Sequence, residues 1–433
     1  MAETAIEEGE TNKEMEVAPA LIAVHPLEKS VAVAAGAELR VFDLEGDSPV
    51  SLLDDSGGPL HADSIRAIRF GAKGRLFASA GDDKLVKIWT TDSWRCLHTV
   101  CSEKRVSAVA ISNDGLFVCF ADKFGVVWVV SLDGEEGNQP LVNKKAAPIL
   151  AHYCSIITSL EFSPDGRFII SADRDFKIRV TIFPKKPFKG AHEIQSFCLG
   201  HTEFVSCLAF PCTPDYSQGF LLSGGGDSTV RLWDMTSGSL LHTCEVGVQA
   251  ELVESNGDEV CHPAVTAICT FPVGSLIAVA IQSLHGVMLL NCDLSSRILS
   301  VAKVVSMGDI FIATSLGVSS AGRLWMITGA SNILGPNFTS LARVKVLAGF
   351  QMSSNPESSE NEPVMLEDTD IPGGEKVLEK LQGSLLSAKE EKALAAATEA
   401  VKMAMRNLLI KKQYSEDRRE LRKKSRNDRK LKQ

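Results

Sequence analysis

The sequence predicts an all-β chain: a seven-bladed β-propeller followed by a helical, basic C-terminal tail. Three observations lead there. One strand–turn–strand motif recurs seven times, its intervals are those of a four-stranded unit, and the composition turns from apolar to charged after about residue 350. Hydrophobic residues make up 45% of the 433, enough for a large core, and no apolar run reaches the roughly 18 residues that a spanning helix needs.

The strongest copy of the motif runs from Leu222 to Asp234 and is preceded by Gly200-His201. The second runs from Ala78 to Trp89 and is preceded by His61. In both, an aspartate stands six residues before a tryptophan, Asp227 before Trp233 and Asp83 before Trp89. Weaker copies end near Phe42, Trp128, Thr181, Leu290 and Trp325. The turns fall near Gly36, Asp83, Asp122, Asp175, Asp227, Leu284 and Ala321, 37 to 57 residues apart. Gly-His and Trp-Asp marks at such a period are the WD-repeat signature. A four-stranded sheet cannot bury both faces alone, so such units stack radially into a ring.

The same marks argue against catalysis. His201, Ser223, Asp227 and Trp233, and their counterparts His61, Ser79, Asp83 and Trp89, contain the residue types of a hydrolase triad. They recur with the repeat, which buried structural networks do and catalytic triads do not. Gly224-Gly225-Gly226 leads into a strand with no following Lys-Ser/Thr or helix, so it is no phosphate loop. No strand leads into a G-x-G-x-x-G turn and helix either. The chain is therefore expected to be no enzyme and to carry no cofactor. Eleven cysteines, an odd number without a C-x-x-C pair, argue for reduced thiols and against a zinc site.

Organisation follows from composition. Residues 1–17 are acidic, with neither a core nor a secretory signal, and residues 18–350 hold the propeller. Residues 351–374, rich in Ser, Glu, Asn, Pro and Gly, read as a flexible acidic linker. Residues 375–433 read as a helical extension: Ser387-Ala388-Lys389-Glu390 is a capping box, and Leu394, Ala397, Val401, Met405 and Leu408 follow at helical spacing. The net charge of −9 divides into +9 over residues 402–433, with 13 Lys and Arg against 4 Asp and Glu, and −18 over the first 401. A polyanion would meet the tail, with Lys411, Lys412, Arg418, Arg419, Arg422 and Lys423 as its candidate contacts. A solvated helix end or a nuclear address accounts for the same composition.

The fourth blade departs from the rest. It offers Asp173-Arg174-Asp175-Phe176-Lys177-Ile178-Arg179-Val180-Thr181. Asp175 takes the structural turn position, Asp173 and Arg174 are additional charges at an exposed turn, and Thr181 replaces the anchoring tryptophan. Lys177 and Arg179 share a face by strand alternation, although Arg40, Lys87 and Arg231 fill the slot of Arg179 in other blades.

The run from Ile169 to Val180, the run from Ser196 to Ser206 and Ala121-Asp122-Lys123-Phe124-Gly125 resemble the non-catalytic WD-repeat subunits of tRNA (guanine-N7)-methyltransferase. The resemblance covers the propeller and is most distinctive over blades three to five. It implies a nuclear heterodimer in which a separate Rossmann-like subunit binds S-adenosylmethionine and methylates a guanine of the tRNA variable loop. This chain would stabilise that subunit and help to position tRNA. The family's docking surface maps onto Asp173, Arg174, Asp175, Lys177 and Arg179. Two positions depart from its pattern: Phe176 stands where an acidic residue is usual, and Ala151 where a Gly often precedes the blade-four His152. The tail matches the family in charge and not in motif.

A second reading is a general propeller adaptor such as a ubiquitin-ligase substrate receptor. Those receptors often show Trp-Asp-x-Arg at a blade end, whereas the strongest blade here reads Trp233-Asp234-Met235-Thr236.

Overall fold

The computed structural model describes residues 18–54, 57–132, 146–152, 155–212, 219–252, 254–256, 259–272, 275–308, 311–331, 341–350 and 363–382. They form a seven-bladed propeller of six four-stranded antiparallel sheets and one five-stranded sheet. Innermost strands touch in succession right round the ring: Leu21–Val24, Ile65–Gly71, Val106–Ile111, Ile157–Phe162, Val205–Ala209, Val265–Thr270 and Ser315–Val318. Blade four continues outward through Phe168–Asp173, Lys177–Ile182 and Ile194–Leu199.

Stacking explains why the second strands read as nearly unbroken apolar runs instead of alternating. All six residues of Phe168–Asp173 are buried. Ile170, Ala172, Ile178 and Val180 pack against Leu221 and Trp233 of blade five. Leu160 and Ile169, pointing the other way, pack against Val127 and Val129 of blade three. Hydroxyls stitch the inner strands together. Ser107 Oγ donates to Ile157 O at 2.7 Å, Thr158 Oγ1 to Val205 O, and Ser206 Oγ to Val265 O at 2.5 Å. Thr266 Oγ1 reaches Ala313 O at 3.3 Å, and Thr314 Oγ1 reaches Ala20 O at 2.7 Å, which carries the series across the seam between the last blade and the first.

Ring closure uses both ends of the described chain. Ala18–Pro19 pairs with the end of Leu324–Ser331, through Ala18 opposite Ser331 and Pro19 opposite Ala330. The outermost strand of blade seven is Val364–Met365, paired with Leu341–Ala348. Helix Gly374–Gln382 then lies over the seam. Val377, Leu378 and Leu381 join Phe42 of blade one and Trp325, Val344 and Val346 of blade seven in one cluster. Gln382 Oε1 accepts the Val344 N–H at 3.0 Å, and Arg40 Nη1 donates to Leu381 O at 3.1 Å. Packing on the seam, more than helix propensity, holds this helix in place.

Two sequence expectations are corrected. The described part of the expected linker, residues 363–374, is docked on the propeller, with Val364–Met365 in a sheet and Ile371 buried. Its few apolar residues find a surface on blade seven that a composition count does not register. In blade three, Trp128 pairs with Phe120 one step from the turn, the register at which Lys87 pairs with Ser79. Val130 therefore holds the anchoring position of Trp89, and Trp128 instead donates its indole N–H to Asp122 Oδ2 at 2.9 Å. The segments 1–17, 351–362 and 383–433 lie outside the described residues.

Candidate functional site

Blades two and five show what a complete turn network does. His61 joins Asp83 Oδ2 at 2.7 Å through Nδ1 and Ser79 Oγ at 2.9 Å through Nε2, and Trp89 Nε1 donates to the same Ser79 Oγ at 3.2 Å. His201, Asp227, Ser223 and Trp233 repeat this at 2.9, 2.7 and 2.8 Å. Burial acts to raise the Asp227 carboxyl, but hydrogen bonds and charge from His201, with further bonds from Thr202 and Thr229, bring it down to about 2. Asp83 is lowered in the same way, burial opposing and His61 prevailing. These buried Ser–His–Asp sets are staples, spent on holding turn to strand.

Blade four builds the network differently, which corrects the sequence reading of its two aspartates. His152 Nδ1 meets Asp173 Oδ2 at 2.8 Å and His152 Nε2 meets Ser171 Oγ at 2.7 Å. Asp173 is buried, and its Oδ1 accepts the N–H groups of Asp175 and Lys177 at 2.8 and 3.0 Å. The structural carboxylate is thus Asp173. Asp175, which occupies the register of Asp83 and Asp227, is displaced from that role and stands half-buried at the turn. Asp122 has the same early register in blade three, where it accepts the N–H groups of Phe124 and Val126.

The missing tryptophan also redirects Arg179. In blade five Arg231 turns to its own blade's turn, bonding Thr229 Oγ1 at 3.1 Å and Asp227 Oδ2 at 3.4 Å. In blade four Arg179 Nε donates to Thr181 Oγ1 at 3.1 Å and its Nη1 to Ala151 O at 3.2 Å, on the outer strand of blade three. Burial lowers the pKa of this half-buried guanidinium. A carboxylate brought to it would act in the opposite sense.

A mixed basic and apolar surface results. Lys177 lies opposite Leu199 and Arg179 opposite Phe197, so these four share one face of the outer hairpin, the face turned away from blade five. Leu199 is 60% exposed, Phe197 43% and Phe176 42%, and Lys177 is exposed too. Phe176 has φ of +72°, a left-handed conformation that blades two, three and five give to Lys84, Gly125 and Ser228. Bulky residues resist it. On the neighbouring turn of blade three, Phe124 is 50% exposed, with Lys104 Nζ and Lys123 Nζ at 5.4 and 5.8 Å from its ring centre.

Of the residues singled out from the sequence, Arg174, Asp175, Lys177 and Arg179 come together on this turn and hairpin, while Asp173 lies beneath it. Lys411, Lys412, Arg418, Arg419, Arg422 and Lys423 fall outside the described residues. Sequence reasoning did not select Phe197 and Leu199. Their alternation with buried Cys198 was the available signal, but alternation separates two faces without saying which one meets solvent. Among the described residues no group of three or more His, Cys, Asp or Glu could hold a metal ion, and no helix is long and apolar enough to cross a membrane.

The family profile described as the tRNA methyltransferase TRM82 WD40 domain matches residues 139–322, and that of the WD domain, G-beta repeat, matches residues 59–90. A tRNA (guanine-N(7)-)-methyltransferase non-catalytic subunit of Xenopus laevis is 30% identical over 323 residues, 73% of this chain and 76% of that protein. The subunits so named from Danio rerio and Homo sapiens are 36% and 38% identical, over 54% and 44% of this chain. The chain spans about half the length of those two relatives, 52% and 42% respectively. Solved structures of U3-55K and of the RRP9 WD40 repeats share the fold, each with a TM-score of 0.59 over 76% of this chain and 95% of theirs, at 18% and 17% identity.

Proposed function

Because this chain belongs to the family of non-catalytic WD-repeat subunits of tRNA (guanine-N7)-methyltransferase, we propose that it acts by docking a separate catalytic subunit on the outer rim of blade four. One observation carries the reading. Asp173 replaces Asp175 in the turn network, and this frees the turn to present Phe176 and Lys177 beside Phe197 and Leu199. Phe176 is 42% exposed in a left-handed conformation that bulky residues resist, which supports a contact made outside the propeller.

The chemistry of the partner follows. Lys177 and Arg179 call for carboxylates, and Phe176, Phe197 and Leu199 call for apolar side chains between them. Aromatic and arginine anchors ringed by polar groups are the usual make-up of an interface centre. The surface is cationic on a body that is acidic overall, so attraction is local and fixes the orientation of the partner. In this reading the chain stabilises the catalytic subunit and helps to place tRNA for 7-methylguanosine formation, and the pair works in the nucleus. Lys411, Lys412, Arg418, Arg419, Arg422 and Lys423 add phosphate contacts. Co-expression with the tRNA (guanine-N7)-methyltransferase catalytic subunit should give a one-to-one complex on gel filtration with mass detection. Separate elution at micromolar concentration would refute the docking.

A further inference from the structure

The outer hairpin of blade four carries a second exposed feature at its other end. Strands Lys177–Ile182 and Ile194–Leu199 are joined by residues 183–193, Phe183-Pro184-Lys185-Lys186-Pro187-Phe188-Lys189-Gly190-Ala191-His192-Glu193. Three lysines and one glutamate in this stretch reverse the sign of a body that carries −18 over residues 1–401.

The connection is built and anchored. Pro187 and Ala191 are buried. Pro187–Lys189 forms a 3-10 turn, with Lys189 N–H on Lys186 O at 3.0 Å and Gly190 N–H on Pro187 O at 2.9 Å. The Ala191 N–H donates to Ile149 O of blade three at 2.8 Å, and His192 Nε2 reaches Lys189 O at 2.9 Å. Gly190 has φ of +87°, which allows the chain to reverse there. Those anchors leave Lys185, Lys186, Lys189 and Phe188 outside, with Phe188 50% exposed.

We propose that this loop is an RNA contact: Lys185, Lys186 and Lys189 hold sugar-phosphate backbone, and Phe188 stacks on an unpaired base. An aromatic face set among cations is the combination that binds unstacked nucleotides, because every base offers a π-face and every linkage a charge. A protein interface asks for something else. It needs about 800 Å² on each partner around an apolar centre, and one phenylalanine ringed by lysines does not supply that. The anchoring also means that little loop entropy is lost on binding. Identifying the RNA as tRNA rests on the proposed function. The geometry suits it: the loop continues the same hairpin four residues beyond Arg179 and Phe197, so an RNA held there would lie beside a subunit docked on that face.

The test uses the full-length chain with its catalytic subunit and a tRNA transcript, with affinity measured at two salt concentrations. Replacing Lys185, Lys186 and Lys189 together by Ala should weaken binding at low salt and flatten the slope of log affinity against log salt by about 2, at about 0.7–0.9 per phosphate contact. Phe188→Ala should weaken binding roughly 5- to 100-fold with the slope unchanged, as loss of one stack does. Unaltered affinities and slopes for both variants would overturn the proposal. So would polyglutamate that displaces tRNA with the same dependence on Phe188, since the loop would then be a site for acidic protein. If the two subunits do not co-elute, the docking reading fails, and the same titrations on this chain alone decide the loop.

Discussion

Phe176 separates what the propeller needs from what a partner needs. Changing Phe176→Gly removes a side chain that is 42% exposed and places glycine at φ of +72°, where the equivalent turn of blade three already has Gly125. Relief of the left-handed strain, roughly 1 kcal/mol, offsets the entropy that glycine adds to the unfolded chain, roughly 0.5–1 kcal/mol. The part of the ring that the propeller covers, roughly 115 Å², is lost as well, at up to about 3 kcal/mol, so the melting temperature should fall by a few degrees while the propeller stays folded. Docking should suffer. A phenylalanine offers about 200 Å², so the exposed 42% is roughly 85 Å², worth about 2 kcal/mol at about 25 cal/mol per Å². That corresponds to about 30-fold in Kd, readable by calorimetry or biolayer interferometry against the catalytic subunit. A folded variant that binds as tightly as the parent would mean that Phe176 serves the fold alone and that the docking face is elsewhere.

Four further outcomes follow. Lys177→Glu should weaken the complex by tens- to thousands-fold if its partner charge is desolvated, about 2–5 kcal/mol, with melting unchanged because Lys177 is exposed; Arg179→Glu is a poorer probe, since losing the bonds to Thr181 and Ala151 lowers stability too. Asp173→Asn should destabilise the propeller by about 1–3 kcal/mol in urea titrations, more than Asp175→Asn, whose carboxylate does not bond His152; equal effects would mean that the two aspartates share the network. Because the Asp227 carboxyl is held at about 2, below the roughly 3.9 of an unfolded aspartate, its stabilisation is full above about pH 4 and is lost as pH falls towards 2. Asp227→Asn should remove that part of the acid limb at a cost of about 2 kcal/mol at neutral pH, and an unchanged limb would contradict the assignment. Leu381→Ala, in the seam helix, should cost about 2–5 kcal/mol and speed hydrogen exchange in blades one and seven ahead of blades three to five.

Where the repeat marks were complete, the sequence was enough. His61, Ser79, Asp83 and Trp89, and the set at His201, specify their turns because each group satisfies another in a buried place, and no cheaper substitution keeps all the bonds. Where marks were partial, spacing misled. Asp122 six residues before Trp128 has the same spacing as Asp83 before Trp89, yet the strand pairing puts Trp128 two positions nearer the turn. A spacing along the chain does not record register against the neighbouring strand. Asp173 and Asp175 were both visible as candidates, but only the position of His152 decides which carboxylate it takes. Phe197 and Leu199 belong to a strand whose alternation is plain, and whether its outward face meets water depends on how far blades three and four splay. The docking of the seam helix depends on Phe42 and Trp325, more than 300 residues and about 50 residues away in sequence, which a local pattern does not register.

The central claim is that this chain assists methyl transfer without performing it. The most direct measurement is transfer of labelled methyl groups from S-adenosylmethionine to a tRNA transcript, with this chain alone, the catalytic subunit alone and the two at equal concentration. The account predicts no transfer by this chain alone and a higher rate for the mixture than for the catalytic subunit by itself, with the label in 7-methylguanosine. Turnover by the isolated chain, or a mixture no faster than the catalytic subunit, would contradict it.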